Sequence, residues 1–224
     1  METEMTERGY ASSPCYMHEF DDSARAVSPP DPDNWSEIAR WRKLQREDLI
    51  ENRLELSVST RQETSRHIAA TLDKTVDVAS NPVIGVYWPF RGEPDLRDWM
   101  RRVTERGGRI ALPEVIGKTK PLVFREWTPG CPMRHGVWKI PVPDNDTCLL
   151  PDIVISPVVG ADAAGFRLGY GGGFYDRTLA SLSPRARAIG VGHVVSSLQT
   201  IYPQPHDIVM DEMILVDPAR DLAQ

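Results

Sequence analysis

The sequence has few cysteines and no long apolar run. Only three cysteines occur among 224 residues, Cys15, Cys131 and Cys148, without a CxxC pair or a histidine at zinc-binding spacing. A disulfide framework or a structural metal centre is therefore not expected. No apolar run approaches the ~18 residues that cross a bilayer, and the N-terminus is acidic where a secretory signal needs positive charge. We expect a cytoplasmic protein that does not bind membranes.

A general excess of basic residues is also lacking. The formal net charge is -6, and residues 1–34 carry eight acidic residues against two arginines, so the rest of the chain is neutral. Nucleic-acid binding needs a clustered basic surplus and is not expected. We expect residues 1–34, which end in SPPDPDN, to form a disordered acidic extension that the chemistry does not need. Residues 35–224 are expected to form a single domain.

Short β-branched runs alternate with helical segments after residue 34. Asn34 with Glu37 predicts the N-cap of a first helix, and Thr60 with Glu63 predicts a capping box for the second. Such alternation favours an α/β fold with a largely parallel sheet and helices on both faces. The predicted helices are 35–56, 60–72, 94–108 and 174–183. The predicted strands are 83–88, 109–113, 121–127, 152–159, 186–194 and 212–217, with an extended proline-rich loop over 136–145.

The stretch RLGYGGGFYDR, residues 167–177, follows a buried strand and precedes a helix. Open α/β sheets bind ligands at this position. Glycines let backbone N–H groups approach phosphate oxygens, the following helix adds its positive end, and Arg167 supplies a guanidinium fork. The stretch lacks the GKS/GKT of a Walker A loop and does not fit GxGxxG. A tight turn with packed aromatic rings is the alternative interpretation.

Charged residues elsewhere could complete a phosphate site. Arg42, Arg46 and Arg53 fall within about 40° of one another on the first helix and form one basic stripe. Asp176, in the first turn after the glycines, and Asp207, in PHDIVMDE, could hold Mg²⁺ if they converge on a nucleotide. The stripe could instead be a solvated helix face, and a carboxylate in a first turn often only complements the helix dipole.

A further candidate is Glu93 in YWPFRGEPD, just past a predicted strand. A carboxylate beside aromatic side chains such as Trp88 suits a flat heterocycle that carries an amide, although a capped helix start is equally consistent with the pattern. The five histidines, among them His193 and His206, show no catalytic or metal-binding spacing. They are expected at surface or loop positions.

Taken together, RLGYGGGFYDR, the preceding LPDIVISPVVGADAAG and the C-terminal HDIVMDEMILVD resemble the 5-formyltetrahydrofolate cyclo-ligase family. The resemblance covers roughly residues 38–217. It implies a three-layer α/β/α fold of the type shared with ribose-5-phosphate isomerase and CoA transferases. It also implies that 5-formyltetrahydrofolate is closed to 5,10-methenyltetrahydrofolate while ATP is split to ADP and phosphate, by phosphorylation of the formyl oxygen and attack by N10.

The resemblance also implies roles for individual residues. Arg167 and Tyr175 are the implied catalytic residues, and the implied Mg²⁺ ligands are Asp176 and Asp207. The implied ATP-binding residues are Arg42, Lys43, Arg46, Arg167, Leu168, Gly169, Gly171, Gly172, Gly173, Phe174 and Tyr175. The implied folate-binding residues are Trp88, Glu93, Trp138, Tyr170, Gly171, Gly172, Gly173 and Phe174. The implied partners are small molecules only, with a monomer or a small homo-oligomer as the assembly.

Some positions depart from the family pattern. Arg42 stands where the family usually has lysine, and Ala161 stands where an aromatic residue usually precedes the aspartate. Lys139 and Val142 stand where many bacterial members have glycine and glutamate. Two alternatives therefore remain open. One is a diverged paralogue that acts on another formyl or amide metabolite, for instance in thiamine-related metabolism. The other is a nucleotide- or folate-binding module without turnover.

Overall fold

The computed structural model describes residues 28–217, which contain four α-helices. Residues 1–27, with Cys15 and most of the predicted acidic extension, lie outside the described residues. Within 28–217, no helix is both long and apolar enough to cross a membrane. The helices are α1 (Trp35–Glu55), α2 (Val58–Thr75), α3 (Arg97–Glu105) and α4 (Phe174–Ser181).

The helix starts test the capping predictions. The side chain of Asn34 accepts hydrogen bonds from the backbone N–H groups of Ser36 and Glu37, as predicted for the N-cap of α1. The prediction for α2 was wrong: Ser57, three residues before Thr60, is the N-cap and accepts from the N–H of Thr60. A serine at Ser57 caps as well as a threonine does, so the local signal did not distinguish two overlapping caps.

Seven strands form the main sheet, in the order β12-β10-β7-β1-β2-β3-β6. Neighbours from β12 to β2 pair in parallel, and β3 and β6 extend the sheet antiparallel. The predicted strand over 83–88 is shorter than expected, and the predicted loop over 136–145 contains the second strand of a hairpin, β5, paired with β4. The strands are β1 (Val83–Gly85), β2 (Arg109–Glu114), β3 (Val123–Trp127), β4 (Met133–His135), β5 (Pro141–Pro143), β6 (Cys148–Leu149), β7 (Ile153–Pro157), β8 (Gly160–Asp162), β9 (Arg167–Leu168), β10 (Arg187–His193), β11 (Ser197–Leu198) and β12 (Glu212–Val216).

Both faces of this sheet are covered. On one face, Ile110 and Leu112 of β2 pack in a core that includes residues of α2 and α3. On the other face, Ala111 of β2 packs in a core that includes Phe124 of β3 and Leu179 of α4. The alternation along β2 follows from the two-residue period of a strand. The predicted three-layer α/β/α architecture is confirmed.

Helix α1 packs against a small second sheet of three strands. β8 pairs with β9 and with β11. Leu49 and Ile50 of α1 pack with Val159, Leu168 and Ile201 around it. β9 leads directly into residues 169–173, which we call the glycine-rich stretch. The packing therefore holds α1 beside this stretch.

Candidate functional site

A cavity of about 720 Å³ lies at the carboxyl ends of three parallel strands. Its lining includes Tyr87 and Trp88 after β1, Leu112 and Pro113 near the end of β2, and Pro157 at the end of β7. Open α/β sheets bind ligands at this edge. The volume lies within the range of roughly 300–1,000 Å³ that small-molecule sites occupy.

The glycine-rich stretch forms one wall of the cavity, between β9 and α4. Gly171 and Gly173 have positive φ angles of 88° and 62°, a conformation that other residues rarely adopt. Gly172 is needed for a different reason, because a Cβ atom there would lie 2.6 Å from the ring of Phe174. Gly173 is the N-cap of α4 and has no side chain to cap it. The first turn of α4 thus offers its N–H groups and its positive end to an anion.

Two arginines of the predicted stripe hold α1 against the cavity. Nε of Arg46 donates to the carbonyl of Gly169 at 2.7 Å. Burial and, secondarily, repulsion from Arg42 lower the pKa of Arg46 to about 10, so it is still a cation at neutral pH. The guanidinium of Arg42 donates to both carboxylate oxygens of Asp207, at 3.3 and 2.5 Å, and to two backbone carbonyls.

Arg167 and Asp176 meet on the same side of the cavity. Nη2 of Arg167 lies 3.1 Å from Oδ2 of Asp176. Yet within residues 28–217 neither Nη2 nor Nε of Arg167 has a hydrogen-bond partner, because the ion pair is not aligned as a hydrogen bond. A buried guanidinium with unused donors beside a cavity is poised to bind an incoming anion.

The two aspartates predicted as metal ligands are neighbours. Oδ1 of Asp176 accepts from the N–H of Ile208, the residue after Asp207. Burial would raise the pKa of Asp207, but hydrogen bonds from Arg42 and from the N–H of Gln204 outweigh it and lower the pKa. No cluster of three or more metal-binding side chains occurs within 28–217, so a divalent cation here would also need oxygen atoms from substrate or water.

Five charged side chains described above line one half of the cavity, which we call the charged half. They are Arg42, Arg46, Arg167, Asp176 and Asp207. Three cations face two carboxylates, so one positive charge is left over. This balance favours a polyanionic ligand.

The other half of the cavity is lined mainly by aromatic rings, and we call it the aromatic half. It is defined by Trp88, Phe90, Glu93, Trp138, Tyr170 and Phe174. Glu93 is its only carboxylate. Its Oε1 accepts from the hydroxyl of Tyr170 at 2.9 Å, and its Oε2 accepts from the N–H of Phe90 at 2.9 Å. Burial raises the pKa of Glu93 to about 7, against the lowering effects of Arg53 and of these hydrogen bonds. Such a carboxyl group can pair with the N–H groups of a flat heterocycle.

Aromatic contacts shape the rest of this half. The ring of Phe90 lies 6.2 Å from that of Tyr170, and the ring of Trp138 lies edge-on to Phe174 at 6.1 Å. Apolar side chains complete the wall. These are Leu112, Val115, Leu122, Val137, Ile140 and Val142. Rings with apolar neighbours suit the planar body of a ligand.

The structure brings nearly all the sequence-predicted site residues to this one cavity. The exceptions are Lys43, which is exposed, and Arg53 of the predicted stripe, which is buried; neither belongs to the lining. Of the positions that depart from the family pattern, Arg42 and Val142 line the cavity. Ala161 is buried in β8 and does not line the cavity. Lys139 is exposed and does not line the cavity either, although its sequence neighbours Trp138 and Ile140 do.

Sequence reasoning missed or misjudged several residues. Arg53 belonged to the predicted stripe but had no predicted partner; its Nη2 donates to the hydroxyl of Tyr170 at 2.7 Å. Phe90 and His206 line the cavity without having been predicted there. The expectation that His193 is a surface or loop residue was wrong, since it is 1% exposed at the end of β10. Its position at the end of a buried strand was the available signal.

Known sequences similar to this chain include members of one enzyme family. A model of the 5-formyltetrahydrofolate cyclo-ligase family matches residues 38–216. A 5-formyltetrahydrofolate cyclo-ligase of Mycolicibacterium smegmatis is 30% identical over 143 residues, which cover 60% of this chain and 74% of the relative. Another from Escherichia coli (strain K12) is 27% identical over 173 residues, which cover 74% and 95%.

Comparison with solved structures agrees with the fold. The NMR structure of a 5,10-methenyltetrahydrofolate synthetase from Aquifex aeolicus has a TM-score of 0.68 at 24% identity, over 78% of this chain and 89% of that chain. A synthetase of the same name from Mycoplasma pneumoniae has a TM-score of 0.61 at 20% identity, over 77% and 97%. At these identities the likeness shows the fold alone.

Proposed function

Because the chain belongs to the 5-formyltetrahydrofolate cyclo-ligase family, we propose that it converts 5-formyltetrahydrofolate and ATP into 5,10-methenyltetrahydrofolate, ADP and phosphate. The substrates are small molecules, and all the residues invoked below come from one chain. Since the reaction consumes ATP, we infer a cytoplasmic site of action.

The chemistry explains why ATP is needed. A formamide carbon is a poor electrophile, and its oxygen is a poor leaving group. Transfer of the γ-phosphoryl group to the formyl oxygen makes the carbon electrophilic, and N10 of the same molecule then attacks it. The new C–N bond closes the ring, N10 releases its proton to water, and the C–O bond breaks so that phosphate leaves. The protein has to align the two substrates and stabilise negative charge.

The charged half of the cavity is suited to the triphosphate. Arg167 is buried with unused donors, Arg46 lies beside the glycine-rich stretch, and the first turn of α4 supplies backbone N–H groups. In this proposal Arg167 binds the phosphoryl group during transfer. The ring of Tyr175, 5.1 Å below the Arg167 guanidinium, keeps that group in position.

Asp176 and Asp207 are the proposed Mg²⁺ ligands. They are adjacent, they line the cavity, and carboxylates are ligands that Mg²⁺ accepts together with substrate phosphates and water. Bound Mg²⁺ neutralises phosphate charge. Each aspartate already pairs with an arginine, so both carboxylates are oriented before the nucleotide arrives.

The aromatic half is suited to the folate. Glu93 can accept from the N–H groups of the pterin ring, and Trp88, Trp138 and Phe174 can cover its faces and edges. The hydroxyl of Tyr170 donates to Glu93, while its neighbour Gly169 is held by Arg46. The glycine-rich stretch therefore contacts both halves, at the point where the formyl oxygen and the γ-phosphate have to meet.

The observation that carries this proposal is the buried Arg167 with two unpartnered donors beside Asp176. A folate-binding module without turnover would have no use for a buried guanidinium with free hydrogen-bond donors at the junction of two ligands. Leaving such donors unsatisfied costs stability. A phosphoryl group is the ligand that satisfies them.

The decisive experiment mixes the full-length protein with 5-formyltetrahydrofolate, ATP and Mg²⁺ and follows the absorbance of the methenyl product. We expect a rise that requires ATP and releases one phosphate per product. Reactions without ATP and reactions with Asp176→Ala serve as controls. Folate and ATP binding without a rise would replace the proposal by the binding module.

One observation favours a second candidate, a paralogue that acts on another formyl or amide metabolite. Val142, a position that departs from the family pattern, lines the aromatic half. ATP binding with no turnover of 5-formyltetrahydrofolate, but with phosphate release on another N-formyl compound, would favour this candidate.

A further inference from the structure

Arg53 makes a set of contacts that the proposed reaction does not explain. It lies on α1 and is 1% exposed. Its Nε donates to the carbonyl of Arg91 at 3.0 Å, and its Nη1 donates to the carbonyl of Val158 at 3.4 Å. Its Nη2 donates to the hydroxyl of Tyr170 at 2.7 Å. Arg53 does not line the cavity, but Tyr170 and Glu93 both do.

The direction of the hydrogen bonds is fixed by chemistry. A guanidinium can only donate, so the hydroxyl of Tyr170 must accept from Arg53. The hydroxyl has a single proton, and its other partner is Oε1 of Glu93. The proton therefore points at Glu93. Since Oε2 accepts from the N–H of Phe90, both carboxylate oxygens face donors.

We propose that Arg53 is a positioning residue that, through the hydroxyl of Tyr170, holds Glu93 as an oriented carboxylate for the folate. This inference rests on the proposed function, since it assumes that Glu93 binds the pterin. Without Arg53 the Tyr170 hydroxyl could turn and accept instead of donate. Glu93 would then lose both a hydrogen bond and a nearby positive charge.

The surroundings of Glu93 make this support important. Burial raises its pKa, while Arg53 and the Tyr170 hydroxyl lower it. The nearby tyrosines are neutral, because burial and the charge of Glu93 raise the pKa of each. The titratable and charged groups that face Glu93 from packed elements are Arg53 on α1, Tyr87 after β1, Tyr170 in the glycine-rich stretch and Tyr175 on α4. Arg53 is thus the one cation among them.

His193 stabilises the loop that carries Glu93 but adds no charge. Its Nε2 lies 3.0 Å from the carbonyl of Gly92 and donates to it, because a carbonyl can only accept. Burial lowers the pKa of His193 to about 4, so the ring is neutral at pH 7. The positive charge that acts on Glu93 at neutral pH is therefore that of Arg53.

Steady-state kinetics over pH 5.5 to 9 test the proposal with Arg53→Met, Arg53→Lys and Tyr170→Phe. We expect the acid limb of kcat/KM for 5-formyltetrahydrofolate to move to higher pH in Arg53→Met and Tyr170→Phe. At pH 7 this lowers kcat/KM about tenfold, while KM for ATP changes less than about twofold. Arg53→Lys keeps the charge and is expected to shift the limb less. Arg40→Met, an exposed arginine of the same helix, is the matched control.

A second measurement does not depend on turnover. The carboxyl ¹³C signal of Glu93, assigned with Glu93→Gln, is titrated in the unliganded protein. We expect its midpoint to rise in Arg53→Met and in Tyr170→Phe but not in Arg40→Met. If Arg53→Met does not fold, Tyr170→Phe decides, because it removes one hydroxyl and keeps the ring.

The outcomes separate this inference from the proposed function. An unmodified protein that does not turn over 5-formyltetrahydrofolate overturns the proposed function and with it the role in folate binding. An active unmodified protein whose Glu93 midpoint and acid limb stay unchanged in both variants overturns the role of Arg53 alone. A shifted midpoint together with a shifted limb supports it.

Discussion

In the charged half of the cavity each carboxylate faces an arginine, whereas in the aromatic half Glu93 faces a tyrosine hydroxyl and a backbone N–H. Hydrogen bonds from Arg42 and Gln204 keep the pKa of Asp207 low, while burial lifts that of Glu93 to about 7. The ion pair with Arg42 thus keeps Asp207, one carboxylate of the charged half, ionised near neutral pH. The aromatic half is poised to respond to pH because burial outweighs the effects of Arg53 and of the hydrogen bonds, which lower the pKa of Glu93.

The largest expected effect comes from removing a carboxylate of the charged half. In Asp176→Ala the proposed Mg²⁺ site loses one ligand, and kcat is expected to fall on the order of 10⁴-fold, the middle of the range that a charge-stabilising arginine contributes to phosphoryl transfer. Folate binding, measured by quenching of tryptophan fluorescence, is expected to change less than about twofold. Asp98→Ala, an exposed carboxylate of α3, is the control. Full activity in Asp176→Ala at any Mg²⁺ concentration would refute the metal assignment.

The next effect concerns the guanidinium of Arg167. Arg167→Met is expected to lower kcat about 10³-fold, because it removes the donors proposed to stabilise the transferred phosphoryl group. Arg167→Lys keeps the charge without the planar fork and is expected to recover part of the loss. Quenched-flow measurement of phosphate release checks both variants. Equal activity of the two variants and the unmodified protein would mean that Arg167 serves only to pair Asp176.

The aromatic half makes a prediction about stability. The folded protein keeps the Glu93 proton up to about pH 7, whereas the unfolded chain releases it near 4.5. The folded state thus binds more protons in this window, and stability is lost as pH rises through it. Relative to the unmodified protein, Glu93→Gln is expected to gain about 3 kcal/mol in unfolding free energy between pH 4.5 and 8.

Urea unfolding of both proteins at several pH values measures this difference. His193, whose lowered pKa gives the opposite dependence, is present in both proteins, so its contribution cancels. A difference that does not change with pH would show that Glu93 is ionised throughout. The comparison between the two halves would then lose its basis.

Local signals predicted most of the fold but not every boundary. Asn34 was correctly predicted because an N-cap bonds within its own turn. The predicted start of α2 was wrong. Glu63 fitted a capping box with Thr60, but its side chain pairs instead with Arg66 and His67. Each of these choices depends on three or four neighbouring residues, so several alternatives have similar energies. The boundary of the acidic extension at residue 34 stays a prediction.

The site likewise contains residues that a local pattern predicts and residues that only tertiary contacts bring there. The glycine-rich stretch was visible because its residues are consecutive, and Asp176 came with it. The partner of Arg53 was not visible, since Tyr170 lies 117 residues away in sequence. The burial of His193 depends on β10 being covered on both faces, which only the assembled sheet shows. Contacts of this kind follow from tertiary packing rather than from any local pattern.

The smallest expected effect lies at the rim of the aromatic half. Trp138 is 56% exposed and touches Phe174 only edge-on, so its ring contributes little binding energy. Trp138→Ala is expected to raise KM for folate about threefold and to leave KM for ATP unchanged, in line with the ~0.5–1.5 kcal/mol of a single aromatic contact.

Trp138 also has a backbone feature that allows a matched pair of variants. Its φ is 55°, a left-handed conformation that costs an ordinary residue roughly 1 kcal/mol and glycine almost nothing. Trp138→Gly and Trp138→Ala should therefore raise KM for folate equally, while the glycine variant is more stable to urea by about 1 kcal/mol. A larger rise in KM for the glycine variant would show that the hairpin must be rigid to close the aromatic half. Equal stability would show that the left-handed turn is not retained once the ring is gone.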